Sequence, residues 1–184
     1  TGSLCPEAQT LTEGKGDSIL VTADSAASGE RCLRLLEGDG LQSAFNPHLV
    51  FSPNHTAGVS RCSFAVRLDP GAVLHHEWRD WRVPQYRVGP SLWIRSGKVI
   101  VGDRELCDAP HNVWLRLILE CRLNAPSEGW SLTVAAPDAQ PRRFDKLAIP
   151  SPDVGHLTWL GFCSFSAAGA SIYLDDLRLI NAQD

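Results

Sequence analysis

The chain has 184 residues, enough to bury a hydrophobic core without disulfide or metal support. Its formal net charge of −4, with 21% charged residues, offers no basic field for nucleic acid or an anionic membrane surface. No apolar run approaches the ~20 residues of a membrane-spanning helix, so we expect neither a nucleic-acid partner nor a membrane span. Because the sequence starts with Thr1-Gly2-Ser3 and contains no Met, we interpret it as a piece of a larger protein whose neighbouring domains are its partners.

The first third of the chain consists of short extended segments between turn residues. After an irregular lead-in over residues 1–17, strands are predicted at residues 18–23, 30–36, 41–51 and 59–68. Asn46-Pro47 interrupts the third of these, which indicates an edge strand or a bulge because proline has no N–H to donate.

Residues 113–123, VWLRLILECRL, have the clearest strand pattern in the chain. Successive side chains of a strand point to opposite faces, so the alternation places six apolar side chains on one face and leaves Trp114 and charged groups on the other. Further strands are predicted at residues 89–95, 98–101, 130–135, 143–149, 157–165 and 171–180. About a dozen short strands without helical periodicity predict one all-β domain over residues 1–184, a two-sheet antiparallel jelly-roll sandwich.

Residues 73–86, VLHHEWRDWRVPQY, concentrate aromatic and charged side chains and break the strict alternation. Sugars present C–H faces that stack on aromatic rings and hydroxyls that pair with polar and charged side chains. The composition of this segment therefore predicts a surface that binds carbohydrate. The candidate ligand-binding residues are His75, His76, Glu77, Trp78, Arg79, Asp80, Trp81, Arg82 and Tyr86.

Trp78 or Trp81 is the predicted stacking platform, and because the two are three positions apart, they cannot share one strand face. At least one of them should be exposed. Arg79 and Arg82 are expected to contact ligand hydroxyls or carboxylates, and an acidic ligand such as a uronate or sulfated polysaccharide would suit them. Glu77 or Asp80 would orient these two arginines. Outside the segment, Trp93 and Trp114 are candidates to extend the surface.

Ordinary packing and solvated ion pairs are the alternatives. For Trp130 and Trp159 packing is favoured, because Trp130 shares its strand face with apolar neighbours. The arginines could instead form surface ion pairs, which contribute little to stability. The groups in that network would be Arg79, Arg82, Arg87 and Arg95 with Glu77, Asp80 and Asp103.

The six cysteines show no CxxC pair and no zinc-ligand spacing. Cys62, Cys121 and Cys163 fall among apolar strand residues and are predicted to be buried thiols. Cys5, Cys32 and Cys107 leave room for one disulfide.

The final strand carries a resemblance to a known family. Residues 173–179, YLDDLRL, resemble the closing strand of concanavalin A-like lectin/glucanase jelly rolls, which include laminin G-like and carbohydrate-binding modules. The resemblance implies a secreted protein with an extracellular, cell-surface or periplasmic location. The two-residue period of a strand predicts that Tyr173, Asp175, Leu177 and Leu179 share one face.

The same resemblance implies a structural calcium ion. In related jelly rolls the closing-strand Asp helps to hold calcium together with an acidic residue near the N-terminus. Asp175 matches that position, and Glu7 and Glu30 are the candidate partners. The alternative is a buried Asp175 whose charge is compensated by backbone N–H groups or an arginine.

The expected function is that of a non-catalytic carbohydrate-binding module in a larger secreted protein, with a polysaccharide or glycan as ligand. The glucanases of this family carry Glu-x-Asp-x-x-Glu, whereas Glu77-Trp78-Arg79-Asp80 has a different spacing, so catalysis is not expected. The alternatives are a laminin G-like structural or protein-interaction domain without a glycan ligand and, less favoured, a polysaccharide-processing enzyme.

Overall fold

The computed structural model describes residues 7–125 and 128–183. Within these ranges the chain forms fourteen β-strands and no α-helix, and thus no helix that could cross a membrane. The strands are β1 (Gln9–Leu11), β2 (Ser18–Thr22), β3 (Cys32–Leu36), β4 (His48–Phe51), β5 (Val59–Leu68), β6 (Leu74–Asp80), β7 (Arg87–Arg95), β8 (Lys98–Val101), β9 (Arg104–Asp108), β10 (Leu115–Arg122), β11 (Trp130–Ala135), β12 (Arg142–Leu147), β13 (Trp159–Ser164) and β14 (Ser171–Ala182).

The strands form two seven-stranded antiparallel sheets. The first sheet has the order β1-β4-β13-β6-β7-β8-β9, and the second has the order β12-β11-β10-β5-β14-β3-β2. Both orders mix strands from distant parts of the chain, because the connections cross between the sheets. This arrangement confirms the predicted all-β jelly-roll sandwich.

The core lies between the two sheets and is built by the alternation seen in the sequence. In β10, Leu117 and Leu119 are fully buried and pair across the strands with Phe64 and Cys62 of β5, which are also fully buried. Burying one such leucine stabilises the fold by about 1.5–3 kcal/mol. The predicted role of residues 113–123 as a core strand is therefore confirmed, although β10 itself begins at Leu115.

The predicted strand bounds are wrong mainly at the sheet edges. The extended segment 41–51 forms a strand only after Pro47, from His48 to Phe51, and this strand lies between β1 and β13, so the interpretation as an edge strand is wrong. Two edge strands were not predicted, β1 and β9. Their side chains are mostly exposed and polar, so no hydrophobic alternation marks them in the sequence.

A β-bulge corrects the predicted face of Asp175. The register of β14 against β5 shifts between Asp175 and Arg178, and Asp176 adopts a left-handed backbone conformation with φ of 49°. The bulge moves the alternation by one position, so Leu174 and Leu177 both contact the core. Asp175 is consequently half-buried on the outer side of the second sheet and does not share a face with Leu177.

Backbone N–H groups compensate the Asp175 carboxylate. It accepts hydrogen bonds from the N–H groups of Ala27 at 2.8 Å, Ser28 at 3.1 Å and Asp176 at 2.8 Å. Among the described residues there is no group of three or more His, Cys, Asp or Glu side chains that could hold a metal ion. Glu30 is exposed, and Glu7 lies elsewhere, beside Phe51 and Leu160. The set Asp175, Glu30 and Glu7 therefore does not fit a calcium site, and the alternative of N–H compensation is observed.

The described cysteines are free thiols. Cys62, Cys121 and Cys163 are buried as predicted, and burial raises the pKa of Cys121 and Cys163 to about 12. These thiols therefore stay protonated at neutral pH. Cys32 and Cys107 are also free, and Cys5 lies outside the described residues, so the predicted disulfide is not found among the residues that are described.

We predict that Asp175→Ala lowers the free energy of unfolding by about 1–3 kcal/mol, because the N–H groups of Ala27 and Ser28 lose their acceptor. The melting temperature should fall by about 2–4 °C for each kcal/mol in a chain of this size. Glu30→Ala is the matched control, since Glu30 is exposed and was the proposed calcium partner. A melting temperature that falls equally in both variants, or that falls on addition of a chelator, would contradict N–H compensation.

Candidate functional site

The pleat of β6 divides residues 73–86 between two faces of the first sheet. Leu74, His76 and Trp78 are fully buried and face the core, so the intervening His75, Glu77 and Arg79 point to the outer face. The sequence concentrated these groups in one segment, and the structure separates them.

His76 and Trp78 form a buried hydrogen-bonded pair in the core. His76 Nδ1–H donates to the carbonyl oxygen of Gly161 at 2.9 Å, and Trp78 Nε1–H donates to His76 Nε2 at 3.1 Å. Burial lowers the pKa of His76 to about 3, so the ring is neutral. Trp78 is 1% exposed, and its ring is therefore not available as a stacking platform. The prediction that His76 and Trp78 contact a ligand is wrong, because the alternation of β6 turns both inward.

Asp80 is also fully buried, and it supports a loop. Its carboxylate accepts hydrogen bonds from Arg82 Nε at 2.7 Å and from the backbone N–H groups of Gly155 at 3.3 Å and His156 at 3.1 Å. The Arg82 guanidinium is the main cause of a lowered Asp80 pKa. The predicted orientation of Arg82 by Asp80 is confirmed, but Asp80 itself is not accessible to a ligand.

Arg79 is the centre of the outer face. Its Nε–H donates to the Glu77 carboxylate, which is the predicted orienting contact. Its guanidinium carbon lies 4.0 Å from the ring centroid of Trp159 and 4.3 Å from that of Tyr86. Neither Nη group of Arg79 has a hydrogen-bond partner among the described residues. These two groups can therefore bind a ligand carboxylate or hydroxyl in the planar geometry of the guanidinium.

Trp159 is held in place by a glycine. Its ring lies across Gly161 so closely that a Cβ added there would be 2.0 Å from the ring. Any other residue at position 161 would displace the ring on which Arg79 stacks. Trp159 is half-buried on the outer face, where its ring packs against Gly161 and Arg79, so packing stays the prediction for Trp159 although its ring lies outside the core.

Trp81 and Tyr86 form the exposed rim beside Arg79. Trp81 is 48% exposed and Tyr86 39% exposed, and their ring centroids are 4.6 Å apart. The backbone N–H of Trp81 donates to Thr158 Oγ1 at 2.9 Å, which fixes the start of this loop. The expectation that at least one of Trp78 and Trp81 is exposed is confirmed, and Trp81 is the ring that can meet a ligand.

A second aromatic cluster lies on the same face. The rings of His75 and Trp93 are stacked at 4.1 Å, and Phe165 lies 4.9 Å from Trp93. His75 Nε2 is 3.0 Å from Ser91 Oγ, and burial is the main cause of a lowered His75 pKa. Trp93 therefore lies on the candidate surface, as predicted. Trp114 does not, because it precedes a strand of the second sheet and donates from Nε1 to Ser25 Oγ at 3.2 Å.

Sheet pairing brings His48 to this surface, and sequence analysis missed it. His48 of β4 pairs with Cys163 of β13, which in turn pairs with His75 of β6. Trp159 pairs with Arg79 in the same way. No local pattern marks these contacts, since the paired residues are far apart in the chain.

The expected ion-pair network is present in part. Arg87 donates to Asp153, while Arg95 lies over the Trp93 ring with its guanidinium carbon 5.5 Å from the centroid. Asp103 has no ion pair with these arginines in the described structure.

A broad polar depression of about 900 Å³ lies on the second sheet. Its central Arg143 already donates to Asp145 and Glu120, each at 2.8 Å, and to Ser131 at 2.9 Å. Trp130 in its floor is buried, as predicted. Because the guanidinium of Arg143 is bonded to other protein groups and Trp130 is buried, this depression lacks the free guanidinium and the exposed rings of the outer face of the first sheet, as far as its described lining shows.

The fold is similar to that of several solved structures. An endo-β-1,4-glucuronan lyase from the fungus Trichoderma reesei has a TM-score of 0.64 and 9% identity, with 95% of this chain and 90% of that chain covered. A carbohydrate esterase from a Shiga toxin-encoding bacteriophage, phi24B, has a TM-score of 0.58 and 15% identity, with 95% and 90% covered. The cellulose-induced protein Cip1 has a TM-score of 0.59 and 8% identity, with 96% and 91% covered.

At these identities the similarity concerns the fold alone. No protein-family model matches the sequence, and no curated protein matches it. The chain therefore has a jelly-roll fold that also occurs in carbohydrate-active proteins.

We predict that Asp80→Asn destabilises the protein at pH 7 and that the difference from wild type narrows as the pH falls. Because the pKa of Asp80 is lowered in the folded state, its charge stabilises the fold above the unfolded pKa of about 3.9. That contribution is lost as the pH falls through the folded pKa. Thermal melts at pH 7, 4 and 2 measure the difference. Asp145→Asn, in an exposed ion pair with Arg143, is the control and should change stability by less than about 1 kcal/mol.

Proposed function

We propose that this chain is a carbohydrate-binding domain and that the outer face of its first sheet binds a polysaccharide containing uronate. The observation that carries the proposal is Arg79, whose guanidinium is fixed by Glu77 and two rings while its Nη groups have no protein partner in the described structure. A bidentate contact to a carboxylate is the use for which this geometry is best suited.

Trp81 and Tyr86 supply the stacking surface. Their exposed rings adjoin Arg79, so a sugar ring stacked on them would place its substituents near the guanidinium. The hydrogen bond to Glu77 orients the guanidinium of Arg79. The guanidinium stacks on the Trp159 ring, which in turn packs against Gly161. Arg82 lies at the rim with 44% of its side chain exposed and is a further candidate contact.

The similar folds of a glucuronan lyase and a carbohydrate esterase support a carbohydrate as the ligand class. A location outside the cell and attachment to a larger secreted protein are part of the proposal.

Catalysis is the second candidate function, and the proximity of Arg79 and Tyr86 favours it. An arginine that neutralises a uronate carboxylate acidifies the adjacent C–H, and a tyrosine beside it is a candidate for moving that proton. We place binding first because no second titratable group is bonded to Tyr86 in the described structure to activate it. Incubation with glucuronan and measurement of new unsaturated ends by ultraviolet absorbance separates the two functions.

We predict that Trp81→Ala weakens polysaccharide binding by about 1–3 kcal/mol, roughly ten- to a hundredfold, because a stacking ring is lost. Affinity gel electrophoresis against glucuronan, alginate, heparin and a neutral β-glucan measures the effect and the preference for acidic chains. Trp114→Ala is the matched control, since its ring lies at the second sheet and should not contribute.

The comparison of Trp81→Ala with Trp114→Ala also shows on which sheet the site lies. If Trp114→Ala weakens binding and Trp81→Ala does not, the site lies on the second sheet. If the wild-type protein binds none of the four polysaccharides, the alternative of a structural or protein-interaction domain is favoured.

A further inference from the structure

His48 lies on the same outer face as Arg79 but at its other end. Leu49 faces the core, so the preceding His48 faces outward at the start of β4. His48 pairs with Cys163, whereas Arg79 pairs with Trp159, four residues away along β13. Four residues of a strand span about 13 Å, so the two ends are separated by more than one sugar ring.

A hydrogen-bond chain fixes which nitrogen of His48 carries the proton. Asn46 Nδ2 donates to the Glu13 carboxylate at 2.9 Å, and Asn46 Oδ1 lies 2.7 Å from His48 Nδ1. Because a carboxylate only accepts, the amide must turn its nitrogen to Glu13 and its oxygen to His48. His48 Nδ1 is therefore the protonated nitrogen, and Nε2 carries a lone pair.

Glu13, at the start of this hydrogen-bond chain, is ionised. The backbone N–H groups of Gln42 and Ser43 donate to Glu13 at 2.7 and 2.8 Å and lower its pKa to about 2. Burial lowers the pKa of His48, so its ring is neutral at pH 7. His48 Nε2 has no hydrogen-bond partner among the described residues. His48 Nε2 is therefore a hydrogen-bond acceptor of fixed orientation to which no group in the described part of the chain donates.

An exposed ring lies next to this acceptor. Phe45 is 47% exposed, and its ring centroid is 5.4 Å from that of His48 in an edge-to-face arrangement. Phe45 thus offers a stacking ring, and His48 beside it offers an uncharged acceptor for a sugar hydroxyl. Trp81, Tyr86 and Arg79 offer a similar combination of rings and a polar group at the other end.

We propose that Phe45 and His48 form a second sugar-binding subsite, and that the ligand is an oligosaccharide chain that crosses β13 from Arg79 on β6 to His48 on β4. This inference rests on the proposed function. The Arg79 end binds the carboxylate of one sugar. The far end stacks a later sugar of the same chain on Phe45 and accepts a hydroxyl hydrogen bond at His48 Nε2.

Chain length tests the proposal. Isothermal titration calorimetry with β-1,4-linked oligoglucuronides of two, four and six units measures the affinity. The affinity of the wild-type protein should rise with the length of the oligosaccharide. Phe45→Ala and His48→Ala should lower the affinity for the hexamer by about tenfold and leave the affinity for the dimer unchanged. Trp81→Ala should weaken the binding of both lengths. Leu20→Ala removes an exposed apolar side chain from the second sheet and should change neither.

The outcomes separate this inference from the proposed function. Wild-type protein that binds none of the oligoglucuronides overturns both. Wild-type affinity that is equal for all lengths, or far-end variants that lose the dimer as much as the hexamer, overturns the second subsite and leaves the Arg79 site standing. The ¹⁵N chemical shifts of the His48 ring report its tautomer in the absence of ligand. A tautomer with the proton on Nε2 and none on Nδ1 would contradict the hydrogen-bond chain.

Discussion

The pairing of β13 between β4 and β6 is the constraint on which the candidate site depends. Phe162 of β13 lies between Leu49 and His76 and faces the core. Once Phe162 is buried, the two-residue period of a strand determines which side chains of β4, β13 and β6 point outward. Trp159 then meets Arg79, and Cys163 connects His48 with His75. A slip of one residue would bury Arg79 and expose Phe162, so the same register creates both the core and the outer face that carries the candidate site.

A buried polar chain holds that register. His76 donates to the Gly161 carbonyl across the strands and accepts from Trp78, so both polar groups are satisfied inside the core. A shifted register would leave these groups without partners, at a cost of about 1–3 kcal/mol for each. Gly161 serves the outer face as well, because the Trp159 ring rests on it. The interior hydrogen bonds and the surface stacking thus meet at one residue of β13.

Glu77 and Asp80 are three positions apart and lie on opposite faces of β6, so the two carboxylates have different roles. Asp80 is buried, accepts from the partly exposed Arg82 and anchors the loop that contains Gly155 and His156. Glu77 lies on the outer face, where it accepts from the Nε–H of Arg79 and lies 3.7 Å from His75 Nε2, and the Nη groups of Arg79 have no hydrogen-bond partner in the described part of the chain. The pair of Asp80 and Arg82 holds the loop beside the candidate site, and the pair of Glu77 and Arg79 fixes the orientation of a guanidinium on the outer face. Their order in the chain does not distinguish these roles; the environment of each carboxylate does.

The sequence by itself determined most of the strands, but not the edge strands β1 and β9, and it determined the sandwich and the segment that supplies Arg79, Trp81 and Tyr86. These depend on local covalent geometry, because the two-residue period of a strand and the conformations of turn residues are visible within a few positions. Only the tertiary structure decided which side chains are accessible. Trp78 is buried, His48 and Trp159 join the site, and a bulge turns Asp175 away from Leu177. Each of these depends on hydrogen bonds between segments far apart in the chain, and no local pattern records the register of such pairing.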